Sequence, residues 1–190
     1  DEYLGNGVDG LDVESLGCDL GYTVDGGAVD EFEYENFNAA DAVLTVHGVG
    51  VHPGSAKDVM VNAAAVAMEF AAMLPANEVP ERTDGYEGFF HLHDMSGCVT
   101  EARLRYIIRD HDRAKFEAKK ALFAECAAKI NAEYGPGTAE AVIRDSYYNL
   151  KEKLDPPPEL IEHARAAFTK NGEEMRCGPI RGGTAGARLS

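Results

Sequence analysis

Residues 42–75 read AVLTVHGVGVHPGSAKDVMVNAAAVAMEFAAMLP. Val43, Leu44 and Val46 make a short β-favouring run that stops at Gly48 and Gly50. Pro53-Gly54 forms a turn. The Ala/Val/Met-rich segment from Lys57 to Leu74 predicts a helix, closed by Pro75. That helix is apolar on most faces, which predicts thorough burial. A strand that hands over to a helix in this way opens a β-α unit, and the elements C-terminal to it decide the sheet it enters.

Beyond the helix, residues 76–88 are polar, with Pro80 and two glycines, and read as a loop. Phe89 to Met95 alternates, with Phe90 and Leu92 on one side and His91 and His93 on the other. Ala102 to Arg109 alternates again, placing Leu104, Tyr106 and Ile108 inward against Arg103, Arg105 and Arg109. Asp112 has the chemistry of an N-cap for a helix with Phe116, Phe123, Ala127 and Ile130 on one stripe, stopped at Gly135-Pro136-Gly137. Ala139 to Ser146 is a last strand. The order is β-α-β-β-α-β, a ferredoxin-like two-layer sandwich.

Outside this block the character changes. Residues 20–24 and 31–37 read as strands, residues 157–170 as a helix with proline in its first turn, and residues 179–184 as a strand end and loop. The expected organisation is therefore α/β, with a ferredoxin-like domain (38–149) inserted into a partial α/β domain formed by 1–37 and 150–190.

Composition limits what such a protein does. The chain has 190 residues, is 45% hydrophobic and carries 8 Phe and 8 Tyr, enough to build a core. Its formal charge is −15, from 33 acids against 18 bases, which argues against nucleic acid and anionic membranes as partners. No apolar run approaches the roughly 20 residues that a membrane helix needs. Cys18, Cys98, Cys126 and Cys177 are far apart with no CxxC, and read as reduced, buried thiols of a cytoplasmic protein. Neither end has the look of a natural boundary, so the chain is expected to be a piece of a longer one.

Candidate chemistry sits at a few positions. Asp25 ends its strand in front of Gly26-Gly27, at an edge where α/β folds bind ligands; it suits a metal, or an ordinary Asp-Gly turn. His52 lies in a His-Pro-Gly turn, where it could hydrogen-bond, bind metal or simply face water. His91 and His93 share a strand face at a spacing that could hold zinc, or are merely wet. Arg109 reads as an anion-binding arginine or as a partner of Asp110 or Asp112. The loop RGGT, 181–184, could present amides to an anion.

Taken together, the strings YTVDGG (22–27), ENFNAA (35–40), VHPGSAKDVMVNA (51–63), TDGYEGFFHL (83–92), YIIRDHD (106–112), DSYYN (145–149) and PIRGGT (179–184) resemble, in order, the tripeptide aminopeptidases of the co-catalytic zinc metallopeptidase family. The resemblance implies a catalytic α/β domain with two zinc ions per site and an inserted ferredoxin-like lid that mediates homodimerisation. It implies release of N-terminal residues from short peptides, tripeptides above all.

Residue by residue, it implies that Asp25 is a zinc ligand and that Glu2 is the general base for a zinc-bound water. His52 would stabilise the developing oxyanion in the partner subunit's site. Arg109 and Arg181 would hold the substrate carboxylate. The chain departs from the family pattern at Tyr3, where a zinc-binding Glu is usual, at Ala185, where RGGTDG becomes RGGTAG, and at Asp30, where Gly is usual. A phenol is a poor substitute for a carboxylate ligand. These departures carry the alternative that the chain belongs to an inactive dimerising or peptide-binding relative.

Overall fold

The structure, a computed structural model, describes residues 10–24, 26–154 and 158–189. They pack as two units, one from the segments up to Phe37 and from Tyr147 onward, the other Asn38–Ser146.

In the second unit the expected order appears: β2 (Asn38–His47), α1 (Ala63–Met73), β3 (Phe89–Gly97), β4 (Glu101–Asp110), α2 (Arg113–Tyr134) and β5 (Ala139–Tyr147). The strands form one four-stranded sheet in the order β3-β4-β2-β5, the ferredoxin-like arrangement. β4 runs antiparallel to both β3 and β2, and its pairing with β2 keeps register from Asn38↔Asp110 to His47↔Glu101. Its alternation is as read: Leu104, Tyr106 and Ile108 are buried against the helices. Phe70 and Phe123 stack edge-to-face at 4.9 Å and meet Tyr106, which closes the core between α1, α2 and the sheet. Asp112 caps α2, its Oδ1 accepting from Lys115 N at 2.9 Å.

Several local expectations are corrected. α1 starts at Ala63 and not at Lys57, because Asn62 caps it: its Oδ1 accepts from Ala64 N at 3.1 Å and Ala65 N at 3.4 Å. Ahead of it Asp58 takes a left-handed φ of 59°, and Val61 pairs back to Val49, so the stretch is spent on a loop. α1 is not buried all round either: Ala65, Met68 and Ala72 face solvent, Met68 being 60% exposed. β3 is interrupted by a register shift between Leu92 and Asp94, at His93.

The first unit holds β1 (Glu31–Asn36) paired in parallel with β6 (Arg176–Ile180), with α3 (Lys151–Leu154), α4 (Pro158–Lys170) and α5 (Ala185–Leu189). The chain between the two parallel strands runs through the whole Asn38–Ser146 unit and then α3 and α4, so the pair with its helices is the interrupted α/β layer expected. Residues 20–24 pair with no strand among the described residues; Tyr22 instead donates its hydroxyl to Leu160 O at 2.7 Å and packs edge-on against Phe32. β6 begins at Arg176, earlier than read, since Glu31 and Phe32 find register partners there.

From Tyr147 on, the chain is tied back to β1. Asn149 Oδ1 accepts from Asn36 N at 3.2 Å and from Lys151 N at 3.1 Å, while Asn36 Oδ1 accepts from Leu150 N at 2.7 Å. Two buried asparagines thus satisfy each other's neighbouring backbone. Of the cysteines only Cys126 is buried; Cys18, Cys98 and Cys177 are exposed and free, because they fall in loops or on a two-stranded edge where no layer covers them.

Candidate functional site

His52 stands between β2 and α1, just ahead of the one-turn helix Pro53–Ser55. The proline sets the turn, and the histidine caps it: His52 Nδ1 accepts from Gly54 N at 3.1 Å. A ring nitrogen that accepts carries no proton, so in the neutral ring the proton sits on Nε2. The side chain is exposed. The turn therefore presents a histidine whose outward nitrogen is an N–H donor, the form needed to stabilise an oxygen that gains negative charge.

Arg109 lies near the far end of β4, opposite Ala39 on β2 and Phe89 on β3. His52 follows the other end of β2, beyond the His47↔Glu101 pair. Eight register positions separate these two ends of the ladder, roughly 27 Å at 3.4 Å per residue. Arg109 and the strand end from which the His52 loop departs are thus at opposite ends of the ladder.

Arg181 belongs to the first unit, at the end of β6. Its guanidinium lies 5.3 Å from the centroid of the buried Phe37 ring, a cation–π contact. The RGGT loop packs tightly behind it: a Cβ on Gly183 would come within 2.8–3.0 Å of the Tyr147 ring. Ala185, where the resemblance implies an acid, opens α5 and is exposed. Glu2, Tyr3 and Asp25 lie outside the described residues.

His91 and His93 have ring centroids 6.1 Å apart. Among the described residues, no three His, Cys, Asp or Glu side chains come together in a way that would hold a metal ion. The described part therefore does not make a metal centre by itself. Among the described residues, no helix is long and apolar enough to cross a membrane.

A polar cluster that sequence reading missed sits at the end of β4. Lys119 on α2 pairs with Asp110, at 3.6 Å, and with Glu78, and its Nζ lies 5.3 Å from the Phe90 ring centroid. Asp110 is almost wholly buried, and burial pushes its carboxyl above the usual carboxylate range against the pull of the Asp112 amide and Lys119. The signal was present in the acid of YIIRD, at an inward position of an alternating strand, but its partner is a lysine nine residues further on. The Asn36–Asn149 pair was missed for a similar reason, since its members are 113 residues apart.

Residues 34–138 match the family model described as "Peptidase dimerisation domain". Over all of its length the chain is 52% identical to peptidase T of Clostridium novyi and 55% identical to peptidase T of Parabacteroides distasonis, and it covers 47% of each. The chain thus spans about half the length of the curated relatives it matches. Its fold matches the crystal structure of aminopeptidase PepT from Bacillus cereus with a TM-score of 0.79 at 20% identity, covering 99% of this chain and 50% of that one. A tripeptidase from Staphylococcus aureus matches with the same TM-score at 18% identity, covering 98% of this chain and 49% of that one.

Proposed function

The chain belongs to the peptidase dimerisation-domain family, and from that premise we propose that it is part of a zinc-dependent aminopeptidase that releases N-terminal residues from tripeptides in the cytoplasm. The observation that carries this reading is similarity to peptidase T along the entire chain, 52–55% identical in the two relatives named. In it, Asp25 is a ligand to one of two zinc ions, Glu2 the general base, His52 the oxyanion donor, and Arg109 and Arg181 the groups that hold the substrate's carboxylate.

Two features support the division of labour. The Gly54 amide leaves His52 with its proton on the outward nitrogen, which suits a donor and not a base. His52 and Arg109 lie at opposite ends of one ladder, which suits a homodimer in which each chain lends His52 to its partner's site.

The exposed row Ala65, Met68 and Ala72 on α1 carries no charge and supports a second copy as its cover. Met68→Glu is expected to convert a dimer into monomers, read by light scattering across a concentration series. An undiminished dimer would place the interface elsewhere.

The metal reading is tested on the complete polypeptide that contains this chain. Exhaustive chelation is expected to abolish tripeptide hydrolysis, and zinc to restore it. Activity that survives chelation would contradict the reading. Tyr3 and Ala185 favour a second reading, a dimerising relative without activity. If the complete polypeptide is inert and Tyr3→Glu with Ala185→Asp gains no zinc affinity, that second reading, a dimerising or peptide-binding module, is favoured; a large gain in zinc affinity shows a metal site that is otherwise intact.

A further inference from the structure

The loop that carries His52 leaves β2 at Gly48 and enters α1 through Asn62. Its two ends are stitched together: Val49 N donates to Val61 O at 2.8 Å, and Val61 N to Val49 O at 3.1 Å. A third segment, the turn between β3 and β4, closes on the same point. Gly48 N donates to Thr100 O at 2.8 Å, and Ala63 N to Val99 O at 2.9 Å. A Cβ on Gly48 would overlap the carbonyl oxygens of Val99 and Val61 and come within 2.9 Å of Ala63 N. All three are backbone atoms, with no side chain free to swing aside, so only glycine lets the three segments meet.

Within the loop the backbone bonds to itself: Ser55 N to His52 O at 2.8 Å, Val59 N to Ala56 O at 3.1 Å and Met60 N to Ala56 O at 3.0 Å. At the tip, a Cβ on Gly54 would stand 3.2 Å from both Cε1 and Nδ1 of His52, tighter than ordinary contact, so the ring would have to shift by a few tenths of an ångström from the place where the Gly54 amide holds it.

We infer that the loop is a fixed arm, and that Gly48 and Gly54 are positioning residues for His52. Gly48 closes the stem, so that the arm leaves the sheet in one direction. Gly54 holds the ring and its tautomer, so that the Nε2 proton is the one offered to a substrate oxygen. Neither glycine meets substrate; both act through His52, and their role rests on the proposed part of His52 in peptide hydrolysis.

The test is a set of double-mutant cycles on the complete polypeptide, with kcat and KM measured on one tripeptide. His52→Ala is expected to lower kcat about 100-fold, as loss of an oxyanion donor does. Gly54→Ala is expected to lower kcat at least about 10-fold, with KM within about twofold, because the lost contact belongs to the transition state. His52→Ala with Gly54→Ala should lose no more than His52→Ala alone, since residues acting through one group do not add. Gly48→Ala should behave alike; if it does not fold, the exposed Gly54 pair decides.

Wild-type kcat in a folded, dimeric Gly54→Ala protein overturns the inference, as do losses that multiply in the double variant. Full activity in His52→Ala overturns the reading beneath it, and so marks that failure apart from the first.

Discussion

Phe123→Ala is expected to destabilise the unit Asn38–Ser146 by about 3–5 kcal/mol, a large share of the roughly 5–15 kcal/mol that holds an ordinary domain. The ring is fully buried and fills the space between both helices and the sheet. It stands edge-on to Phe70 at 4.9 Å and to Tyr106 at 5.4 Å, so its removal loses transfer energy and two aromatic pairs together. The neighbours come from β4 and both helices, elements held by the ladder, and cannot collapse into the hole without breaking register. Urea unfolding followed by circular dichroism checks this. A loss below about 1 kcal/mol would mean that the three rings do not form the core described, since even modest core truncations cost that much.

Lys119→Met is the second large effect, of about 3–5 kcal/mol at neutral pH, as expected when a buried carboxylate loses its cation. Asp110 is 3% exposed in its side chain and Lys119 11%, so solvent cannot take over the role. Glu78 is 41% exposed and matters less. The loss carries a pH signature. Burial already raises the Asp110 carboxyl above its ordinary 3.8. A group with a raised folded value contributes stability below its unfolded value and loses it as pH rises through the folded one. Without Lys119 the folded value climbs further. The deficit of the variant should therefore be smallest at acid pH, where Asp110 is protonated, and grow toward neutrality. Urea unfolding at acid and neutral pH measures it. A deficit that is the same at both would show that Lys119 acts by packing over Phe90 and not by charge.

Much of the ferredoxin-like unit could be read from the chain, because its elements announce themselves locally. The alternation of β4, the Asp112 cap and the stop at Gly135 are properties of neighbouring residues, and all three appear where expected. Readings failed where a non-local partner decides. The segment 57–62 has helical composition, yet Val61 pairs with Val49 and Asn62 takes the cap. Asn before an alanine run was a usable signal that the apolar composition hid. Residues 20–24 have strand composition, but Tyr22 is held by its hydroxyl on α4 and not by a ladder. Cysteine burial was misjudged because composition says nothing of which loops remain uncovered.

The candidate site divides in the same way. The turn that presents His52 was legible from His-Pro-Gly, while the ring's tautomer needed the Gly54 amide, a contact that only the folded loop supplies. The separation of His52 from Arg109 follows from the antiparallel pairing of β2 with β4, which no local pattern encodes. The steric closure at Gly48 depends on Val99, which lies 51 positions away in the chain and on a different hairpin. Glycine there reads from sequence only as the end of a strand.

The most direct measurement is the identity of the products that the complete polypeptide makes from a tripeptide with three different residues, resolved by mass spectrometry with zinc present. The proposed activity predicts the free N-terminal amino acid and the remaining dipeptide in equal amounts, and no cleavage when the N-terminus is acetylated. Release of the C-terminal residue instead, or equal cleavage of the acetylated peptide, would contradict it.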